Sequence, residues 1–272
     1  MVFFLAATLA AALLGFHAAT YLLWYYERCR SAACASDVAA PAVAVFLSEA
    51  IALIVVVLTW PLGLIRSSRA GTSVDRPVLL VHGWCLNSAS LGLLAARLRR
   101  DGRYVVFDNR SPRARNMRAA VESLAETIRE LAGNSEAHRV DIVAHGVGGV
   151  IVRAAAMVAE VSPLIGNVVT IGSPHRGTAL ALLSRRDGLL DLRPGSSFLD
   201  DLVRGDSLPA QTHVAAIASP FDAIVFPFDL AYYPGAFNVT VEGIGHYAML
   251  YSDRVYTLVA ENLSVPAKAG AA

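Results

Sequence analysis

Two long apolar segments at the start of the chain constrain its fold more than any other feature. Residues 2–26 contain no Asp, Glu, Lys or Arg, and residues 42–65 contain a single charged side chain, Glu49. At a rise of about 1.5 Å per residue, a helix of either length crosses the ~30 Å hydrocarbon core of a membrane. A polar loop, 27–41, separates them. The sequence therefore predicts a transmembrane hairpin over residues 1–70, with spans at about 2–26 and 42–65.

Composition agrees with this prediction, because only 17% of the 272 residues are charged, against about a quarter in soluble domains. A signal peptide is the alternative for the first segment, but it needs a basic region, and no basic side chain precedes Phe3. Antiparallel packing of two spans would place His17 and Glu49 at one depth. An intramembrane carboxylate needs a partner or a proton, so we expect these two side chains to pair.

The flanking arginines set the expected orientation. The loop between the spans carries Arg28 and Arg30, whereas Arg66, Arg69 and Arg76 follow the second span. Positive charge favours the cytoplasmic side. By a margin of one charge, the large domain is expected to face the cytoplasm.

After the hairpin, apolar runs alternate with helical patterns through residues 71–265. The runs are rich in Val and Ile and do not alternate with polar residues, which is typical of parallel strands buried on both faces. We predict strands at 77–81, 104–107, 139–144, 167–171, 213–218 and 237–241, and helices at 88–100, 116–131, 148–159 and 247–263. Strand–helix alternation predicts an α/β domain with a mostly parallel sheet and helices on both faces. Residues 266–272 are expected to form a flexible tail.

One segment has the form of a nucleophile elbow, a sharp turn between a strand and a helix. Residues 140–149 have the sequence Val-Asp-Ile-Val-Ala-His-Gly-Val-Gly-Gly. The usual pattern is Gly-x-Ser-x-Gly, with the serine exposed on the turn. Here Ala144 replaces the first glycine, and Gly146 stands where the serine is expected. Gly148 and Gly149 leave room for the helix to approach the sheet.

Three further segments supply complementary chemistry in the expected order. Strand 77–81 runs into His82, Gly83 and Trp84, a loop that can direct a backbone N–H at a developing oxyanion. Asp222 follows the strand at 213–218, and His246 lies on a Gly-rich loop before the last helix. Nucleophile position, acid and histidine occur in that chain order in α/β-hydrolases.

Together these segments resemble bacterial triacylglycerol lipases and related esterases of the α/β-hydrolase fold. The resemblance runs from Arg76 to Leu263 and includes Thr-Ile-Gly-Ser-Pro-His-Arg-Gly-Thr at 170–178 and Pro-Gly-Ser-Ser-Phe-Leu at 194–199. It implies a bacterial inner-membrane protein acting on lipid acyl esters, without cofactor or metal, and a lid at about 179–211. The residue roles that it implies are the triad acid Asp222, the base His246, the oxyanion-hole donors Trp84 and Val147, and the supporting residues His82, Gly83, His145, Gly148 and Gly149.

The departure at Gly146 falls on the residue that would form the acyl-enzyme. Removing the nucleophile from a serine hydrolase costs about 10⁶ in turnover, so the chain is expected to be inactive or strongly impaired. Cys85 and Ser173 are alternative nucleophiles, and the Asp222–His246 pair could activate water directly. A pseudoenzyme that binds lipid, acyl chains or a partner protein at the membrane is the alternative function.

Other classes of protein, such as nucleic-acid-binding, disulfide-rich or zinc-binding proteins, receive little support from the sequence. The formal net charge of +1 gives no indication of nucleic-acid binding, and no nucleic-acid partner is expected. The three cysteines are too few for a disulfide scaffold, and their spacing fits no zinc site. The partners expected are therefore the lipid bilayer and an ester or lipid substrate.

Overall fold

The computed structural model describes residues 2–30, 36–65, 76–84, 86–108, 116–205, 208 and 212–266. Most of the predicted tail, together with Cys34, Cys85, Arg66 and Arg69, lies outside these ranges. The helices are α1 Val2–Arg30, α2 Ser36–Ile65, α3 Gly92–Arg100, α4 Met117–Gly133, α5 Val147–Ala156, α6 Asp187–Leu190, α7 Ser197–Arg204 and α8 Asp253–Leu263. The strands are β1 Val78–Val81, β2 Val105–Phe107, β3 Val140–His145, β4 Ile165–Ile171, β5 Val214–Ala218 and β6 Phe237–Thr240. Short 3₁₀ turns occupy Ser88–Leu91, Ser162–Leu164, Ala179–Leu183, Phe228–Ala231 and Ala248–Tyr251.

The six strands form one sheet in the order β2-β1-β3-β4-β5-β6, and every neighbouring pair is parallel. Each predicted strand is confirmed to within two residues at either end. β1, β3 and β4 are buried along their whole length, which explains why their sequences show no alternation. The predicted site residues follow the carboxyl ends of β1, β3, β5 and β6.

Apolar side chains pack on both faces of the sheet. One cluster joins the sheet to α4 and α5, with Leu124, Ile128 and Leu131 at helical spacing on the inner face of α4. The second cluster joins the opposite face to α3 and α8, and it includes Val56 of α2. The sheet is thus covered by helices on both sides, as the alternating pattern predicts.

The predicted helix at 247–263 is two elements. A 3₁₀ turn, Ala248–Tyr251, ends at Ser252, whose backbone is extended (φ −81°, ψ 129°). The Ser252 hydroxyl then accepts a hydrogen bond from the N–H of Val255 and caps α8. The periodicity of the apolar residues continues through this break and conceals it.

The predicted pair of spans is not confirmed. In the part of the chain that the structure describes, one helical segment, Pro41–Leu64, is long and apolar enough to cross a membrane. The predicted pairing of His17 with Glu49 is wrong. His17 Nε2 lies 3.1 Å from the carbonyl oxygen of Phe46, whereas Glu49 accepts two hydrogen bonds from the hydrolase domain. Glu49 is directed toward that domain because α2 packs against it.

Candidate active site

Gly146 occupies the turn between β3 and α5. Its backbone has φ 55° and ψ −133°, in a region that side chains rarely adopt, and its N–H donates a 2.9 Å hydrogen bond to the carbonyl of Ile171. Close packing of the following helix depends on Gly148, where a Cβ would lie 2.9 Å from the carbonyl oxygen of Val81. The segment therefore has the strand–turn–helix geometry of a nucleophile elbow, with glycine at its apex.

Asp222 and His246 form a buried pair beside this turn. Asp222 follows β5 at the tip of a loop, and its Oδ2 lies 2.8 Å from His246 Nδ1. The other carboxylate oxygen accepts 2.8 Å hydrogen bonds from the N–H groups of Ile224 and Val225. Because these two donors fix the carboxylate, the imidazole ring is held with Nε2 facing away from the acid.

The structure brings the three positions of the predicted triad together. A Cβ built on Gly146 would lie 3.4 Å from His246 Nε2, an ordinary van der Waals distance. A side chain at position 146 would therefore project directly at the ring nitrogen that a general base uses. Position 146 thus has no side chain, whereas Asp222 and His246 beside it lie within hydrogen-bonding distance of each other.

Charge around His246 favours its protonated form. Burial disfavours the imidazolium, but the negative charge of Asp222, the hydrogen bond to it and the charge of Glu49 together raise the pKa of His246. His246 is 5% exposed and Asp222 is 1% exposed, so water screens these interactions little.

The N-terminal helices hold the loop that carries His246. Glu49 of α2, 2% exposed, accepts hydrogen bonds from the N–H groups of Tyr247 (2.7 Å) and Ala248 (2.8 Å). These donors open the 3₁₀ turn that follows His246, where a carboxylate satisfies unpaired N–H groups. A Cβ on Gly245 would lie 2.5 Å from Glu49 Oε2 and 2.6 Å from the hydroxyl of Tyr21, so the loop is pressed closely against the two helices.

The same helices contact the loop that carries Asp222. Trp24 Nε1 of α1 donates a 2.8 Å hydrogen bond to the carbonyl of Pro220, and the Trp24 ring packs against Phe221. The Tyr21 hydroxyl donates a 3.5 Å hydrogen bond to the Phe221 carbonyl. Sequence reasoning missed all of these contacts.

The predicted oxyanion-hole residues flank the elbow. Val147 is the first residue of α5, so its N–H has no partner within the helix. Trp84 follows the His82–Gly83 turn, in which His82 Nδ1 lies 2.9 Å from the Gly83 carbonyl oxygen. The Gly83 backbone approaches Gly146 closely, since a Cβ on Gly83 would lie 3.7 Å from the Cα of Gly146. These positions are compatible with the predicted backbone donors.

Two further histidines are buried near the site. His145 is fully buried, and its Nε2 lies 3.2 Å from the carbonyl oxygen of His246. Burial, reinforced by the charge of His246, lowers the pKa of His145 well below its usual range. His175 is also fully buried, with Nε2 2.9 Å from the Thr170 hydroxyl, and burial together with the charge of Arg153 lowers its pKa likewise.

Asp222 and His246 are shielded from solvent by the described residues, at 1% and 5% exposure. Part of the predicted lid, residues 179–205, forms a 3₁₀ turn and two short helices, α6 and α7. The ring of Trp84 lies against Gly188 of α6, where a Cβ would be 2.5 Å from the ring. Among the described residues, no group of three His, Cys, Asp or Glu side chains is arranged to hold a metal ion.

Comparison with known sequences places the chain near lipases. A family described as a domain of unknown function, DUF7379, matches residues 64–193. A triacylglycerol lipase from Vibrio cholerae serotype O1 is 28% identical over 196 residues, and the match covers 66% of this chain and 61% of that lipase. The chain therefore spans less than two thirds of the relative that it matches.

Comparison with solved structures confirms the predicted fold. The mature form of the Bacillus licheniformis lipase BlEst2 superposes with a TM-score of 0.61 at 18% identity, covering 74% of this chain and 96% of that one. Aspergillus fumigatus lipase B superposes with a TM-score of 0.60 at 17% identity, covering 74% of this chain and 55% of that one. The domain after the hairpin has a lipase/esterase-like α/β-hydrolase fold.

Proposed function

We propose that this chain is a membrane-bound protein of the lipase and esterase lineage that keeps its acid–base pair but lacks the acyl-enzyme step. The single observation that carries the proposal is the direction in which a side chain at position 146 would point. A Cβ there would lie 3.4 Å from His246 Nε2, but glycine has no side chain to attack the substrate. Substrates of the lineage are carboxylic esters with lipid acyl chains. α1 and α2 attach the protein to the bacterial inner membrane, with the hydrolase domain on the cytoplasmic side.

The acid and base in this proposal are Asp222 and His246, and the oxyanion donors are the backbone N–H groups of Trp84 and Val147. Their arrangement supports double displacement once a nucleophile is supplied: His246 accepts the nucleophile's proton, and Asp222 stabilises the resulting imidazolium. Without a nucleophile, the oxyanion hole and substrate binding still accelerate hydrolysis by only about 10³–10⁴ over the rate in water. The chain as it stands is therefore expected to be nearly inactive.

Ser173 is a poor substitute for the missing serine. It follows β4, is 1% exposed, and its Oγ forms no hydrogen bond to the described residues. Its hydroxyl lies where a Cβ on Gly149 would stand, packed under α5. A serine becomes nucleophilic when a base accepts its proton, and nothing places this hydroxyl against His246.

Restoring the hydroxyl tests the proposal. We expect Gly146→Ser to raise hydrolysis of short p-nitrophenyl esters by several decades over Gly146→Ala, the matched variant with the same backbone strain and no hydroxyl. Strain of about 1–3 kcal/mol at this backbone conformation is shared by both variants and is within the stability of an ordinary domain. Adding His246→Ala to the serine variant should return the rate to that of Gly146→Ala.

A lipid-binding pseudoenzyme is the second candidate, favoured by Gly146, which leaves the Asp222–His246 pair without a nucleophile beside it. The same experiment separates the two. If Gly146→Ser melts like Gly146→Ala but hydrolyses no faster, the hydrolytic geometry is absent and the binding function takes its place.

A further inference from the structure

One face of α2 packs along the hydrolase domain for about half of its length. Its buried side chains, Val45, Glu49, Ala52 and Val56, recur at intervals of three and four residues. Val45 belongs to the cluster around Phe221, and Val56 belongs to the core cluster beneath the sheet. Near the other end of the helix, Asn87 Nδ2 donates a 2.7 Å hydrogen bond to the carbonyl of Trp60. From Val45 to Trp60 the contact extends for about 23 Å.

The opposite face of the hairpin is apolar and exposed. Within residues 41–64 the sole charged side chain is Glu49, and it points inward. The exposed large apolar side chains on this outer face are Leu14, Phe16 and Leu22 of α1, and Val43, Leu47, Ile51, Ile54, Leu58, Leu62 and Leu64 of α2. Soluble monomers rarely expose a contiguous apolar surface of this extent. Protein interfaces also carry hydrogen bonds and a polar rim. This surface is aliphatic apart from Phe16 and, near one end of α1, Tyr26, so the occupant that fits is lipid acyl chains.

A helix bound to a folded domain over about 23 Å cannot cross the ~30 Å hydrocarbon core without taking that domain with it. The segments that α2 contacts are irregular: the 3₁₀ turn Ser88–Leu91 and the loop and turn at 245–251. Irregular backbone does not occur against lipid inside the hydrocarbon region, because its polar groups lack partners there. The packing of α2 therefore disfavours a spanning hairpin.

We propose that the hairpin is monotopic: α1 and α2 lie in the plane of one leaflet, with the outer face among acyl chains and the inner face bound to the hydrolase domain. This inference rests on the membrane attachment in the proposed function and specifies its geometry. Amphipathic helices that bind in this way bury their apolar face about 5–10 Å into the leaflet. The His246 loop, which contacts the inner face of α2, then lies roughly one helix diameter, about 10 Å, from the lipid.

The side of the membrane on which Cys29 lies distinguishes a spanning hairpin from a monotopic one. Cys29 is an exposed thiol near the end of α1. A spanning hairpin places it across the membrane from the hydrolase domain, whereas a monotopic hairpin places both on one side. We would remove Cys34 and Cys85 by alanine substitution and label Cys29 in spheroplasts with a membrane-impermeant maleimide. The matched reporter is Arg118→Cys, made with Cys29→Ala in the same background, at a side chain 89% exposed on α4.

The thiols of the two variants should label under the same condition, either both in intact spheroplasts or both only after lysis. Labelling of one in intact spheroplasts and of the other only after lysis would establish a spanning hairpin and overturn the inference. This comparison does not depend on which side the domain occupies, nor on any esterase activity.

Alkaline carbonate extraction tests the lipid contact itself. The unmodified chain should stay with the membrane pellet, and the double variant Ile51→Lys and Leu58→Lys should move to the supernatant with an unchanged circular dichroism spectrum. Release of the unmodified chain by carbonate would overturn both the inference and the membrane attachment on which it rests. Retention of the double variant in the pellet would show that the outer face does not hold the protein in lipid.

Discussion

The carboxylate of Glu49 accepts a 2.7 Å hydrogen bond from the backbone N–H of Tyr247, a residue 198 positions further along the chain and adjacent to His246. The second oxygen of the same carboxylate binds the N–H of Ala248. A helix outside the α/β domain therefore fixes the loop that presents the catalytic-type histidine. Burial raises the pKa of Glu49 to about 7, so above that pH its carboxylate adds a second negative charge, besides Asp222, to the surroundings of that imidazole.

Glu49→Gln should lower the pKa of His246. The substitution removes one of the negative charges that raise this pKa and leaves the burial that lowers it. The titration can be followed in the protein with Gly146 by NMR of ¹⁵N-labelled imidazole, so no restored activity is needed. In the Gly146→Ser background, the acid limb of the pH–rate profile should move to lower pH, because His246 acts as a base only when neutral.

The control for this charge effect is Glu122→Gln. Glu122 lies on α4 with its side chain 60% exposed, so the variant removes the same charge far from the site and should leave the titration of His246 unchanged. An identical His246 titration in the Glu49 and Glu122 variants would show that Glu49 does not act on the imidazole.

Asp222→Asn should abolish restored activity in the Gly146→Ser background. The N–H groups of Ile224 and Val225 require an oxygen at one side-chain position, so the new amide NH₂ group has to face His246 Nδ1. Nδ1 must then accept a hydrogen bond, so the proton of the neutral ring lies on Nε2. Nε2 is the atom that would have to accept the serine proton, and in this tautomer it cannot. A loss of about 10⁴ in kcat accompanies this change of tautomer in a serine protease.

Asp229→Asn is the matched comparison, because Asp229 is half exposed and contacts Arg176 rather than His246. It should leave kcat and KM for p-nitrophenyl esters unchanged. If the Asn variants at 222 and 229 hydrolyse ester equally fast, Asp222 does not set the tautomer.

Gly148→Ala should destabilise the fold. Its Cβ would lie 2.9 Å from the Val81 carbonyl oxygen and 3.0 Å from that of His82, and both are backbone atoms that cannot move aside. Overpacking of this kind costs about 1–3 kcal/mol, which lowers the Tm of a domain of this size by several degrees. Gly133→Ala, in the last turn of α4 with open space around it, should leave the Tm unchanged or raise it slightly. Equal melting of the two variants would contradict the close approach of α5 to β1.

His175 should make the fold sensitive to acid. Its pKa is well below the ordinary value of 6.5 in the folded protein, so the unfolded chain binds the proton more readily. Stability is therefore lost as the pH falls below about 6.5, whereas the raised pKa of His246 contributes in the opposite direction. Urea unfolding at about pH 7.5 and pH 5.5 should show a smaller loss of stability on acidification for His175→Gln than for the unsubstituted protein. An equal loss in the two proteins would assign the acid sensitivity to other groups.

The sequence predicted the α/β domain closely because its strands are short, most of them are buried, and turn residues separate them. Asp222 and His246 were identified by their place in the chain order, and the structure then brought them within 2.8 Å of each other. The break at Ser252 was missed because helical periodicity is the same on both sides of an extended capping residue.

The contacts of the hairpin could not be predicted in this way. Trp24 and Glu49 bind backbone groups 196 to 199 residues away, and no local pattern indicates such a partner. A charged residue within an apolar segment predicts an intramembrane pair with His17, because the sequence of the two segments carries no sign of a partner on the hydrolase domain. Once α2 has a partner surface on the hydrolase domain, the carboxylate is satisfied there.

Gly146 holds a φ of 55°, which glycine adopts without the strain that a serine bears at an elbow. Glycine therefore keeps the backbone free of that strain, with α5 and His246 in place beside the turn. The serine codons AGU and AGC each differ from a glycine codon by a single base. Where the codon of Gly146 is GGU or GGC, one base change places a serine side chain beside His246 Nε2, and no other residue has to change for that step.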